Sequence, residues 1–253
     1  MKYHFHSNII RWAGALCVAL AVGQTTQAEV VRLHGGVSVS KAIESKRAVI
    51  EAKSGAQLEI VGSGAGRGLN DLSGGFADIA LLSGPLKGVA EAMNKEKPGS
   101  VDLASMKEIP FSSTKMSLLT HPSAGVKSLT QAQLRDVFTG KTTNWKEVGG
   151  ADMPIKVVIP FAGDGARVTL QATVLEGAEY AKGAIVRVSS KDVPVAVAQL
   201  PGACAVLASE NVTGNVITVP LDKDLPMPWA LVVKGEPSGA VKKVVEAVTE
   251  LIK

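Results

Sequence analysis

The sequence predicts an α/β fold, layers of helices on a mostly parallel sheet, and three observations predict it. Segments with strand character and segments with helical character alternate along the chain, joined by turns of small residues. Phe76–Leu82 is a near-continuous apolar run, the pattern of a strand buried on both faces. Glycine is plentiful, at 26 residues, and aromatics make up only 4%, which suits close packing of helices on a sheet. A hydrophobic fraction of 46% excludes a disordered chain, and 253 residues allow one large domain or two of about 100–130.

In order, the first strand is Val30–Leu33, and after His34-Gly35-Gly36-Val37-Ser38-Val39 a helical stretch runs to about Lys53. Gln57–Val61 is the second strand, with Leu58 and Ile60 alternating against polar neighbours. Gly62–Gly66 then opens a helix reaching about Leu72, and the apolar strand follows. Thr130-Gln131-Ala132-Gln133 is a capping box: the Thr130 hydroxyl covers an amide of the first turn and Gln133 reaches back. Leu134, Val137 and Phe138 form that helix's apolar face, and Gly140 ends it. A strand at Ile155–Phe161 leads through 162–166 into a helix to about Glu176, and another helix spans about Asp192–Leu200. Strands follow at Ala203–Leu207 and Val216–Val219. The closing helix starts at Pro237 and repeats apolar residues at Val241, Val244, Val245, Val248, Leu251 and Ile252.

Residues 1–28 read as a secretory signal outside the fold. Lys2 and Arg11 give a basic start, Trp12–Val22 an apolar run, and Gln24–Ala28 a small, polar exit. The run is too short for the roughly 20 residues of a membrane span. Cys17 follows Leu16, where lipid attachment would want a small residue, so it belongs to the discarded signal. Cleavage after Ala28 removes two positive charges and no acid, lowering the net charge from +4 to +2. The mature chain has no Lys/Arg cluster with interleaved aromatics, so no nucleic-acid partner is expected. Cys204, the cysteine left after cleavage, sits among Ala203, Ala205 and Val206 and reads as a buried, inert thiol.

Catalytic signatures are missing. G-x-G-x-x-G fails because its third glycine falls on Arg67 or Leu69, and there is no Walker A loop, G-x-S-x-G elbow or H-E-x-x-H motif. His34 and His121 lie far apart in sequence without neighbouring ligands, so neither a metal nor a cofactor is expected, and no enzyme.

Three small-residue turns stand between a strand and a helix: Gly35-Gly36-Val37-Ser38, Gly62-Ser63-Gly64-Ala65-Gly66 and Gly163-Asp164-Gly165-Ala166-Arg167. A helix start offers unpaired N–H groups and the positive end of the dipole, and several converging on one cleft would hold an anion without a basic patch. The plainer alternative is that Ser38 and Ser63 only cap their helices.

These residues resemble the periplasmic phosphate-binding components of bacterial phosphate ABC transporters. The likeness is carried by the 62–66 turn with Phe76–Leu86, by the block from Leu129-Thr130 through Phe138-Thr139-Gly140-Lys141 to Asn144-Trp145, and by Pro201–Val206. Leu225–Trp229 and the Pro237-Ser238-Gly239 helix start add to it. The resemblance implies a two-lobed periplasmic-binding-protein-like fold, each lobe a mixed, mostly parallel sheet flanked by helices. Lobe I would be 29–116 plus 224–253 and lobe II 117–223, with crossings near Ser117–Thr120 and Leu221–Leu225. It further implies an exported, periplasmic, monomeric solute-binding protein that captures an oxyanion, phosphate first, and delivers it to an inner-membrane ABC permease.

Carried onto this chain, the ligand positions are Ser38 with Val39, Ser63 with Gly64, Ser83, and Asp164, Gly165, Ala166 and Arg167. Four departures stand out. Asp164 replaces a ligand serine, Ala166 a threonine, Ser83 an acid found in some phosphate binders, and Pro160 an arginine of some members. Asp164 either accepts a hydrogen bond from a protonated oxyanion, or caps its helix and faces away, or marks a different ligand. Arg67 could replace the lost arginine or be a solvated helix residue. The alternative function is a binding or adhesion module on the same fold with altered or lost anion ligation.

Overall fold

The structure, a computed structural model, describes Met1 and residues 28–252. Residues 2–27, nearly all of the segment read as a secretory signal, lie outside the described residues, as does Lys253. The chain opens with β1 (Val30–Gly35), α1 (Val37–Glu44), α2 (Arg47–Ser54), β2 (Gln57–Val61), α3 (Ala65–Gly74), β3 (Ile79–Ser83) and α4 (Leu86–Glu96). It continues with β4 (Met106–Thr120), α5 (Gln131–Thr139), β5 (Lys156–Pro160), α6 (Gly165–Thr173), β6 (Ile185–Arg187) and α7 (Asp192–Gln199). β7 (Ala203–Ala208), β8 (Ile217–Val219), β9 (Leu225–Lys234) and α8 (Gly239–Leu251) complete it.

The strands hydrogen-bond in the order β2-β1-β3-β9-β4-β7-β5-β6, with β8 also on β4. Pairings are parallel toward both ends, among β2, β1 and β3 and among β7, β5 and β6. They are antiparallel in the middle, where β4 and β9 run side by side. The first part of β4 pairs with β9 and its last residues, Met116–Thr120, pair with β7. β4 therefore carries the chain from one half of the molecule into the other, and β9 brings it back. β3 and β7 are buried along their whole length, because helices cover both faces of these inner strands.

Each half has its own apolar core. Val31, Leu33, Ile43, Ile50, Leu81, Leu231 and Val248 pack together in the first, with a second layer around Leu69, Leu82, Val89 and Val232. In the other half, Leu118, Leu134, Phe138, Trp145, Ile159 and Leu170 form one cluster, and Leu119, Val158, Val197 and Ala205 another. The capping box forms as read: Thr130 Oγ1 accepts from the Gln133 amide at 3.2 Å, and Gln133 Oε1 accepts from the Thr130 amide at 2.8 Å. Gly140 ends that helix at φ 80°, a left-handed conformation that costs glycine little.

Several boundaries differ from the reading of the sequence. The stretch up to Lys53 is two helices. A turn at Ser45-Lys46 breaks it, closed by the Lys46 amide on the Ile43 carbonyl, and both Ile43 and Ile50 still reach one core. Phe76 is exposed and outside the strand, since its amide and that of Ala77 still donate to Asp71 at the end of α3. β3 begins only at Ile79. The helix expected to reach Glu176 ends at Thr173, and Pro237 precedes the Ser238 cap of α8 instead of opening it. The sequence reading did not assign α4, β4, β6 or β9. Pro110 in β4 and Pro226 and Pro228 in β9 disguise those strands, and β4 breaks register between Pro110 and Ser112.

Candidate functional site

The three helix starts are pulled together at the end of β3. The Gly36 amide donates to the Leu81 carbonyl at 2.7 Å, and a side chain there would meet Ser83 Oγ at 2.8 Å. Gly64, at φ 103°, donates its amide to the Gly35 carbonyl at 2.7 Å. Gly165 packs its bare Cα against the Ser83 carbonyl, a place any Cβ would fill. Small residues thus let α1, α3 and α6 start around one point.

That point is a cavity of about 20 Å³ between the halves. The first half supplies Gly36, Val37, Ser38, Gly64, Ala65 and Ser83 to its wall. The second supplies Asp164, Ala166, Ser190 and Asn211, with Leu207 and Ala208, and Met227 of β9 completes the apolar part. The volume is slightly more than one enclosed water needs. Val37, Ser38 and Val39 occupy the first turn of α1, where backbone N–H groups have no partner within the helix. Neither Ser38 nor Ser63 caps its helix by a side-chain hydrogen bond, so the plainer reading of those serines does not hold.

Asp164 does cap its helix, and it also forms part of the wall. One carboxylate oxygen, Oδ1, accepts from the Ala166 amide at 2.9 Å and the Arg167 amide at 3.3 Å, while Oδ2 accepts from the Ser190 hydroxyl. Two first-turn donors of α6 are therefore taken by the chain's own carboxylate. Burial pushes the Asp164 carboxyl above the ordinary carboxylate range, against the pull of Ser190, the two amides and the Arg167 charge. Among the residues lining the cavity, Asp164 is the ionisable one.

Of the residues picked out in the sequence, Ser38, Gly64, Ser83, Asp164 and Ala166 meet at this cavity. Val39 points into the core of the first half. Ser63 stands one residue before Gly64, and its hydroxyl oxygen is enclosed without a hydrogen-bond partner. Arg167 turns away: its guanidinium donates to the Pro160 carbonyl at 3.0 Å and lies 5.5 Å from the Tyr180 ring centre. Arg67 is not part of the wall either. It donates to the Val188 carbonyl at 2.9 Å and covers the Phe161 ring. Ser190 and Asn211 are wall residues the sequence reading missed. They stand in connections before α7 and after β7 that carry no motif. Cys204 is fully buried, and burial drives its thiol upward, away from the reactive thiolate.

The halves touch directly around the cavity. The Gly66 amide donates to the Gly163 carbonyl at 2.9 Å, and Asn211 Nδ2 donates to Ser38 Oγ at 2.9 Å. Lys41 Nζ donates to Asn211 Oδ1 at 3.0 Å.

A family model described as a PBP superfamily domain matches residues 21–244. The chain belongs to the PBP superfamily. Within it, the phosphate-binding protein PstS of Bacillus subtilis (strain 168) is 32% identical over 169 residues, 67% of this chain and 53% of the relative. The chain thus matches about half the length of that curated relative. A Clostridium perfringens protein assigned to phosphate ABC transport as its substrate-binding protein, solved with bound phosphate, superimposes with a TM-score of 0.72 at 26% identity. That match covers 87% of this chain and 93% of the other. An ABC-type phosphate transport receptor from Vibrio cholerae, at 20% identity, shares the fold with a TM-score of 0.64 over 87% and 93% of the two chains. This PBP-superfamily chain has the two-lobed, mixed α/β architecture of those structures. Among its described residues no helix is long and apolar enough to cross a membrane.

Proposed function

We propose that this chain is the solute-binding component of an ABC importer and captures a small oxyanion, phosphate first, in the cavity between its halves. The observation that carries this reading is the convergence of the α1, α3 and α6 starts on one small cavity between the halves. The PstS relative and the phosphate-bound neighbour support phosphate over other anions. All three relatives are described as binding proteins or receptors, and this chain too is read as non-catalytic, without cofactor or metal. Lobe I is taken as 29–116 plus 224–253 and lobe II as 117–223. The protein is read as a periplasmic monomer, exported on its first 28 residues, that hands its ligand to an inner-membrane permease.

Asp164 limits which oxyanion fits. In its ionised form the buried carboxylate repels a dianion at short range, so the ligand presents a proton toward it. Ser38 and Ser83 hydroxyls, the first-turn amides of α1 and the Ala65 amide of α3 donate to the remaining oxygens. Titration calorimetry with phosphate, arsenate, sulfate and molybdate tests this. Phosphate or arsenate is expected to bind at micromolar or tighter Kd and sulfate, unprotonated at neutral pH, weakly. Asp164→Asn is expected to admit sulfate. If none of the four binds or raises the melting temperature, the reading fails.

A second reading has an observation of its own. Asp164 already fills part of the α6 donor set, and the halves already bond to each other directly. A module that keeps the fold but binds a macromolecular partner would look the same. A partner captured equally by wild type and by Ser38→Ala/Ser63→Ala would favour it.

A further inference from the structure

The cavity wall holds an acid but no cation, and an anion site needs positive potential from somewhere. Lys41 lies three residues after Ser38 on α1, so both face the same way. Asn211 reaches across from the other half and inserts between them. A lysine ammonium can only donate, so the Asn211 atom facing Lys41 is the carbonyl oxygen, and the amide nitrogen faces Ser38. Ser38 Oγ therefore accepts from Asn211, which leaves its own proton for a third group. Ser38 is 4% exposed and lines the cavity, so that group is a ligand inside it.

We propose that Lys41, Asn211 and Ser38 form a donor relay, assembled only when the halves meet, that aims the Ser38 hydroxyl proton and part of the Lys41 charge at the bound oxyanion. The inference rests on the oxyanion reading above. Every hydrogen bond in the relay points the same way, from ammonium to amide to hydroxyl to cavity, so each polarises the next. Asn211 is a positioning residue: it acts through Ser38. Because it belongs to the half opposite Ser38 and Lys41, the relay makes a competent donor and a closed molecule the same event. Asn211 and Lys41 thereby supply what the departures at Pro160 and Ala166 take away, a source of positive charge and a hydroxyl held in place.

The test is a double-mutant cycle read by phosphate titration calorimetry on the mature chain. Asn211→Ala is expected to weaken phosphate binding about tenfold through the lost orientation of one buried donor. In the Ser38→Ala background the same change is expected to cost far less. Asn211→Asp keeps the side-chain shape and the Lys41 contact, so the melting temperature should hold. Its second oxygen, however, accepts the Ser38 proton and reverses the relay. Its loss of affinity should exceed the loss the same charge causes in Ser38→Ala. Lys41→Met should weaken binding less than Asn211→Ala. Equal effects of the Asn211 variants with and without the Ser38 hydroxyl would overturn the relay while leaving the oxyanion reading intact. Wild-type protein that binds no phosphate would overturn that reading, and the relay with it.

Discussion

The Gly66 amide donates to the Gly163 carbonyl at 2.9 Å, tying the first turn of α3 to the segment that leads into α6. Neither residue has room for a side chain. A Cβ on either would stand 3.0 Å from the other's Cα, a tight contact, and would overlap the Met93 sulfur. Met93 is flexible and can move aside, but the facing backbone cannot. These two glycines let the halves approach closely enough to enclose the cavity.

Gly163→Ala is therefore expected to wedge the halves apart, destabilising the closed arrangement by about 1–3 kcal/mol as overpacking does elsewhere. Small-angle scattering should show a larger radius of gyration, and phosphate affinity should fall with it. Adding Met93→Ala should restore only the part due to sulfur overlap. Unchanged scattering and affinity in Gly163→Ala would show that the contact does not govern closure.

Asp164 makes stability depend on pH with a definite sign. Burial raises its carboxyl pKa, so the folded protein holds that proton more tightly than the unfolded chain. Its contribution is most favourable below the ordinary carboxyl value of about 3.9 and declines as pH rises through the folded value. Asp164→Asn removes that decline, keeps an acceptor for the Ala166 and Arg167 amides, and offers Ser190 a donor in exchange. Urea denaturation should find the variant gaining on wild type as pH rises from about 4 to about 8, with the two converging at the acid end. A constant difference across that range would contradict the assignment of the titration to Asp164.

Away from the cleft, the capping box of α5 and the buried Trp145 each contribute to the stability of the second half. Thr130→Ala should cost about 1 kcal/mol, the usual worth of an N-cap. Trp145 is fully buried and its indole N–H donates to the Gly202 carbonyl at 2.9 Å. Trp145→Phe removes that hydrogen bond, leaving the Gly202 carbonyl with the Lys156 amide alone, and opens a void behind the ring, for about 1–3 kcal/mol. Urea midpoints measure both, and the tryptophan change should be the larger.

Most helices and the inner strands could be read in the sequence because their signals are local. The Thr130–Gln133 box, the Gly140 stop and the apolar repeat from Val241 to Ile252 sit within a turn or two of what they specify. β4 and β9 could not be read that way. Their prolines argue against strands, and their pairing joins residues more than 100 positions apart, such as Met106 with Lys234. The site divides along the same line. Glycine turns at 35–38, 62–66 and 163–167 announce helix starts from sequence, and Ser38 and Asp164 came with them. Ser190 and Asn211 carry no local signal: each matters only because the fold places it against Asp164 or Ser38. Arg167 shows the reverse failure, since its position in the turn says nothing about where a long side chain points, and Pro160 and Tyr180 draw it away.

Ser63 offers the sharpest test, because two measurements should move in opposite directions. Its hydroxyl oxygen is enclosed and has no partner, while Gly64 and Ala65 beside it line the cavity. An enclosed hydroxyl without a partner costs free energy that removing it recovers, so ligand-free Ser63→Ala should melt at or slightly above wild type. If the bound anion is the partner the hydroxyl lacks, the same variant should bind phosphate about tenfold more weakly. A hydroxyl that mattered only to packing would lower stability and leave affinity alone, whereas loss of both would point to distortion of the α3 start. Scanning calorimetry without ligand and titration calorimetry with phosphate separate the three outcomes, and wild-type affinity in Ser63→Ala would remove Ser63 from the ligand set.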